Sequence, residues 1–260
     1  MNPTISERLG RYRGSLTAAG LLAAFLAALA YLEVKPVDIV SSFPQFAVFF
    51  ARKFLPPDFT NIAHYLPYAI QTVLFAVVGT YLSTLLALAL GILMSEAANP
   101  FKPLRWLARA IASLMRNIPV LVWASLFVYA FGVGNIVGLL ALTVSSLGFL
   151  ARSYGESLTE LSGRAGEALA ATGASRAQIL WHGLMPMFMP AFVNWTLYSF
   201  ELNIRASTIL GMVGAGGIGV QIQTAIRLFK YREALAIMII VIAIVLITEL
   251  MTNTIRSSIK

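Results

Sequence analysis

The chain has 260 residues, 58% of them hydrophobic and 12% charged, with a formal net charge of +8. That composition excludes an ordinary soluble domain, and several stretches without Asp, Glu, Lys or Arg are long enough to cross a bilayer, which takes about 20 apolar residues. With no cysteine and only His64 and His182, disulfides and thiol chemistry are excluded and a His-based metal site has too few ligands. The basic excess reads as Lys and Arg flanking the cytoplasmic ends of spans and not as nucleic-acid binding.

In chain order, residues 1–13, with Arg8, Arg11 and Arg13, form a cytoplasmic tail. The uncharged stretch 14–32 makes the first span, retained because its apolar run outlasts a signal peptide. Residues 33–64 hold Pro36, Pro44, Pro56 and Pro57 with balanced charge, an external segment with room for a short helix over Gln45–Arg52. A second span runs from about Pro67 to Met94. Residues 95–117 then carry Lys102, Arg105, Arg109 and Arg116 against Glu96 alone, the clearest positive-inside signal in the chain. Leu104, Leu107, Ala108, Ile111 and Met115 recur at helical spacing opposite these arginines, which predicts an amphipathic helix lying at the cytoplasmic interface or leading obliquely into the next span.

The next uncharged stretch, Asn117–Ala151, would be about 52 Å long as one helix, too long for one crossing. Gly132-Val-Gly-Asn135 divides it into spans over 118–131 and 136–151. Between Arg152 and Pro186 acids and bases alternate in an Ala- and Leu-rich sequence, predicting a helical cytoplasmic connection broken at Gly173. A fifth span follows over about 184–200, with Pro186 in its first turn and Pro190 as a kink. Residues 206–226 lack charge, but Gly211, Gly214, Gly216, Gly217 and Gly219 crowd the centre. Irregular backbone at membrane depth must be covered by protein, so this stretch is expected to re-enter and not to span. A sixth span over about 234–251 returns residues 252–260 to the cytoplasm. The expected organisation is thus a tail (1–13), an N-terminal span with an external segment (14–66), a five-span core (67–251) with a connecting loop (152–183), and a tail (252–260).

Several of these stretches resemble one family. Glu167, Ala168, Gly173 and Pro186 stand at the spacing of the Glu-Ala-Ala loop of bacterial ABC importer permeases, with departures at Leu169, Gly183 and Met185. Arg116-Asn-Ile-Pro-Val120 is similar to the Arg-x-Ile-Pro opening of a span in those permeases. The pair Phe200-Glu-Leu-Asn-Ile-Arg205 and Gly211-Met-Val-Gly-Ala-Gly-Gly-Ile-Gly219, with Leu55-Pro-Pro-Asp-Phe59, resembles the phosphonate-type subfamily. The resemblance covers about residues 55–251. It implies an all-α, six-span permease of the type I ABC importer fold with a cytoplasmic coupling helix, multi-pass in the bacterial inner membrane. It also implies a second copy of the chain, two cytoplasmic ATPase subunits holding ATP and Mg²⁺, and an external binding protein delivering an organophosphonate, phosphite or phosphate.

Glu167, Ala168, Gly173 and Pro186 are therefore candidates for coupling to the ATPase, Glu167 offering a charge and Gly173 the turn. Arg205, Ser207, Thr208 and the five glycines from Gly211 to Gly219 are candidates for the substrate pathway and gate, the glycines allowing close backbone approach across a dimer axis. Glu201 and Arg205, at i, i+4 in the favourable order, are expected to pair. The glycine run has no Gly-Lys-Ser/Thr ending and no strand before it, so it does not read as a phosphate loop. No cofactor is expected in this chain and ATP hydrolysis falls to a partner. An integral-membrane enzyme would need an acid, base or metal cluster. A channel or ion-coupled carrier would want ionisable groups at midplane, which the first four spans lack.

Overall fold

The computed structural model describes residues 5–96 and 98–259, nearly all of them helical. They form two compact units, divided between Leu55 and Pro56. In the first unit, α1 (Ile5–Tyr31) carries the expected N-terminal span in its segment Gly14–Tyr31, and none of that segment is buried. The helix stops where Glu33 takes a positive φ of 55° and the Val34 amide turns back to bond the Leu29 carbonyl at 3.1 Å. That reversal satisfies carbonyls a helix end leaves open. After Lys35 in extended geometry, Pro36 opens α2 (Pro36–Lys53). The helix expected over Gln45–Arg52 thus begins nine residues earlier, because Pro36 is tolerated at a first helical position.

The second unit is built on α3 (Ile62–Met94) and α6 (Asn135–Leu161), its most extensive helix pair. The buried face of α3 runs Ala69, Thr72, Ala76, Gly79, Ser83 and Ala87 to Gly91, small residues three or four apart. Backbones approach closely along such a stripe: a Cβ on Gly91 would lie 2.9 Å from that of Tyr154, and one on Gly155 3.1 Å from that of Met94. Between them α4 (Lys102–Asn117) is the expected amphipathic helix, turned by 90° from α5 (Val120–Phe131). Pro119 forces Ile118 into an extended conformation there, and the Trp123 indole bonds the Met115 carbonyl across the bend at 3.3 Å. The helix buries Ala108 and Ala112, while Leu104 and Leu107 are exposed.

α6 does not end at Ala151. It continues through Arg152, Glu156 and Glu160 to Leu161, so the first part of the connection is helical, as expected, and continuous with the span. Charge forbids lipid contact, not helix, and the extension buries Tyr154 and Leu158 against Phe188. After the connecting segment comes α9 (Met185–Leu210), which passes through Pro190 and runs ten residues beyond the expected end at Phe200. Residues 206–213 therefore continue α9 into a last wide turn, which Gly214 ends with a φ of +94°. A 56° bend then leads to α10 (Ile218–Arg227), too short to cross a bilayer. α11 (Tyr231–Ile259) is the last span, longer at both ends than expected. By length and composition the described residues hold four to six membrane-crossing elements, six if each bent pair counts as one.

Candidate functional site

The segment that carries the candidate coupling residues starts with a π turn over Ser162–Gly166 and the short helix α7 (Glu167–Ala171). Ala168 is exposed; the Glu167 side chain lies outside the described residues. Thr172 caps α7 through a 2.7 Å bond to the Leu169 carbonyl, and Gly173 takes φ +81°, which only glycine adopts without strain. The break expected at Gly173 is there, and the exposed turn it makes projects Thr172 and Gly173 outward. The chain restarts at Ser175, whose hydroxyl accepts from the Gln178 amide while the Gln178 side chain accepts from the Ser175 amide, a capping box opening α8 (Arg176–Gln178). A π stretch, Ile179–Leu184, joins α8 to α9. It precedes Pro186, whose ring and missing N–H a regular helix would not accommodate.

Ile179, Leu180 and Leu184 are buried and anchor the segment, leaving Arg176, Ala177 and Gln178 exposed. Two departures from the family pattern meet here. A Cβ on Gly183 would fall on the side chain of Leu169, so the larger residue in α7 sits where a smaller one stands in the following helix.

The second candidate region is a polar seam joining α3, α6, α9 and the start of α10. Ser146 donates to Asn203 Oδ1 at 2.7 Å, and Asn203 Nδ2 donates to Thr80 Oγ1 at 2.9 Å. Ser207 donates to the Thr72 and Ile204 carbonyls. Thr72 Oγ1 accepts from the Ile218 amide at 2.8 Å, and Gln71 accepts from that of Gly217 at 3.1 Å. Two side chains of α3 thereby cap α10. Thr208 is buried and bonds the Ile204 carbonyl. Sequence reasoning missed Thr72, Thr80, Ser146 and Asn203. Their signal is a recurrence of small polar residues at helical spacing within apolar spans, where a buried hydroxyl must find a partner.

The glycines divide by cause. Gly214, Gly216 and Gly217 have φ of +94°, +87° and +76°. Gly211 and Gly219 instead meet each other: a Cβ on Gly211 would lie 2.8 Å from the Gly219 Cα, and one on Gly219 would fall on the Thr208 carbonyl. The close approach is thus made within one chain, between the end of α9 and the start of α10. The same chain also supplies cover, with Thr72 against Gly217, and Phe75 and Asn135 against Gly216.

The expected Glu201–Arg205 pair is absent. Glu201 is buried and faces α11, where Thr252 donates to it and Arg256 Nη2 stands 2.9 Å away. That contact is an ion pair by distance, although its N–H groups are not aligned for a hydrogen bond. Arg205 is exposed one turn further on, with no ion-pair partner among the described residues. The two residues lie only about 40° apart around α9, but Glu201 is buried with its partners on α11 whereas Arg205 is exposed. At the opposite border of this unit, Asp58 accepts from the Thr60 hydroxyl and amide, and these bonds hold its carboxyl below the ordinary aspartate range.

Residues 87–259 match the family described as the binding-protein-dependent transport system inner membrane component. The chain belongs to this family. The permease is 35% identical to the phosphate-import permease protein PhnE of Mycolicibacterium smegmatis over 98% of its own length and 47% of that protein's, so it spans about half of that relative. It is 30% identical to the phosphite transport system permease protein PtxC of Stutzerimonas stutzeri, covering 85% of this chain and 80% of the other. It is also 30% identical to the putative phosphite permease HtxC of the same organism, covering 95% and 87%. Among solved structures, the permease superposes with TM-score 0.68 on a chain of the inward-facing MetNI methionine ABC transporter (20% identity, 75% and 96% covered). It superposes with TM-score 0.64 on a chain of an amino acid ABC transporter (19% identity, 77% and 96% covered). The fold is that of a type I ABC importer permease, and the family places the chain in the inner membrane. The family match takes in the end of α3 and α4 to α11, hence the 162–184 segment and the α6, α9 and α10 side of the seam, and leaves α1, α2 and the seam residues Gln71, Thr72 and Thr80 outside.

Proposed function

We propose that the permease is the transmembrane subunit of an ATP-driven importer for phosphonate or a related phosphorus oxyanion, phosphite or phosphate. Two copies form the pathway, two cytoplasmic ATPase subunits hold ATP and Mg²⁺ and perform the hydrolysis, and an external binding protein delivers the anion. The observation that carries this reading is the agreement of relatives that match 85% to 98% of this chain, at 30–35% identity, in being named for phosphate or phosphite. For coupling, the support is geometric. An exposed helix–turn–helix around Gly173 leads without interruption into a helix running from Arg176 to Ala215. A push on the turn moves that helix as a lever, and the far end of the lever is the glycine bend. Arg205, exposed ten residues before that end, is the positive charge available to an anion entering the seam between two copies.

The test is reconstitution with the ATPase and binding protein in proteoliposomes, measuring ATP-dependent uptake of labelled phosphite, phosphate, methylphosphonate and aminoethylphosphonate. Gly173→Val and Glu167→Lys should abolish uptake while leaving membrane insertion intact. Arg205→Lys should retain partial uptake and Arg205→Glu none. Absence of uptake for all four anions overturns the substrate class; full uptake by the Gly173 and Glu167 variants overturns the coupling role.

A further inference from the structure

α2 has a face for which neither the transport reading nor the family match accounts. At 100° per residue, Asp38, Ser41, Ser42, Gln45, Arg52 and Lys53 gather in an arc of about 120°, interrupted by Phe49 alone. The remaining circumference is apolar and holds Ile39, Phe43, Phe46 and Phe50. No residue of the helix is buried: Val40 is 74% exposed, Phe43 68% and Phe46 60%. So much exposed aromatic surface is incompatible with water on all sides.

We propose that α2 lies flat in the bilayer interface, its Phe-rich arc among the acyl chains of the phospholipid surface at which α1 ends. Three observations commit the arc to lipid. The helix starts four residues after a membrane-crossing segment that stops abruptly at the turn around Glu33, so it begins at the membrane surface. It cannot itself cross, because as a helix of about 27 Å it would turn a continuous polar stripe and charges at both ends into hydrocarbon. Its polar arc carries Arg52 and Lys53 at one end, where long side chains reach the headgroups while their stems stay in apolar surroundings. The charges along the segment, Glu33, Lys35, Asp38, Arg52 and Lys53, nearly balance. Apolar insertion, not attraction to anionic headgroups, therefore holds the helix in place.

The absence of native cysteine makes the test direct. Single cysteines at Phe43, Phe46 and Phe50, and at Ser41 and Gln45, are labelled with an environment-sensitive fluorophore in the full chain and reconstituted in phosphatidylcholine vesicles. The expected result is several-fold stronger quenching of the first set by a nitroxide carried near the lipid headgroup. The second set should be quenched more strongly by a water-soluble nitroxide. The alternation should follow the helical period, survive high salt and persist when anionic lipid is added or omitted. Gln45 and Phe46 are adjacent, so a locally unfolded variant cannot reproduce opposite behaviour at the two. Apolar-arc labels shielded from both quenchers would mean that protein covers the arc, from this chain, a second copy or another subunit, and would overturn the proposal. Equal aqueous quenching of both sets, or a lipid signal lost in high salt, would overturn it too.

Discussion

Glu201→Gln should destabilise the permease through Arg256 and not through Arg205. The Glu201 side chain is 8% exposed and that of Arg256 24%, and Thr252 donates to the same carboxylate. Removing one member of a fully buried pair costs about 3–5 kcal/mol, because the other charge is left without a partner. Arg256 is a quarter exposed and near the end of α11, so water can reach it, and the expected loss is discounted to about 2–3 kcal/mol. Arg256→Gln should cost a similar amount. The double variant should cost clearly less than the sum, with a coupling of about 1–2 kcal/mol. Arg205→Gln, on an exposed side chain, should stay within about 0.5 kcal/mol and add independently to Glu201→Gln. Reversible unfolding in mixed micelles, with detergent composition as the denaturing axis, measures the permease, the three single variants and the two double variants. Additivity between Glu201 and Arg256, or coupling between Glu201 and Arg205, would refute the assignment.

Thr72→Val keeps the volume but leaves the buried Ile218 amide unpaired, so it should cost about 1–3 kcal/mol, whereas Thr72→Ser should cost about 1 kcal/mol for the lost methyl. A thermal midpoint for the valine variant equal to that of the serine variant would show that the α3 hydroxyl does not hold α10. Gly219→Ala drives a methyl into the Thr208 carbonyl and should lower the thermal midpoint sharply, while Gly163→Ala, with nothing within 4 Å, should leave it unchanged or slightly raised. The Asp58 carboxyl, lowered by the Thr60 hydroxyl and then its amide, contributes to the 58–60 turn above the ordinary aspartate value of 3.8. That contribution is lost as pH falls through the lower folded value. Thr60→Ala should move the Asp58 titration back toward 3.8, read by carbon-13 NMR of the labelled carboxyl.

The sequence by itself determined the class of molecule and most of its spans. Transfer of apolar side chains from water is a local property, so Gly14–Tyr31, α3 and α11 can be read from uncharged runs alone. Local chemistry also marked the amphipathic α4, the break around Gly132 and the turn at Gly173, each settled by residues in contact along the chain. The spacing of Glu167, Gly173 and Pro186 carried the family, because those residues shape one continuous segment.

What depends on residues distant in sequence was decided only by the tertiary structure. Hydropathy stops counting at the first charge, so it could not show α6 running through Glu160 or α9 through Glu201 and Arg205: a helix needs backbone hydrogen bonds, and these persist where the side chains change from apolar to charged. The i, i+4 rule offered Arg205 to Glu201, but one face of α9 packs on α11, so the carboxylate found Arg256 and Thr252 instead. The glycines from Gly211 to Gly219 were legible as a site of close approach. Within the chain, the packing of α10 back against the end of α9 decided which of them meet, bringing Gly211 to Gly219.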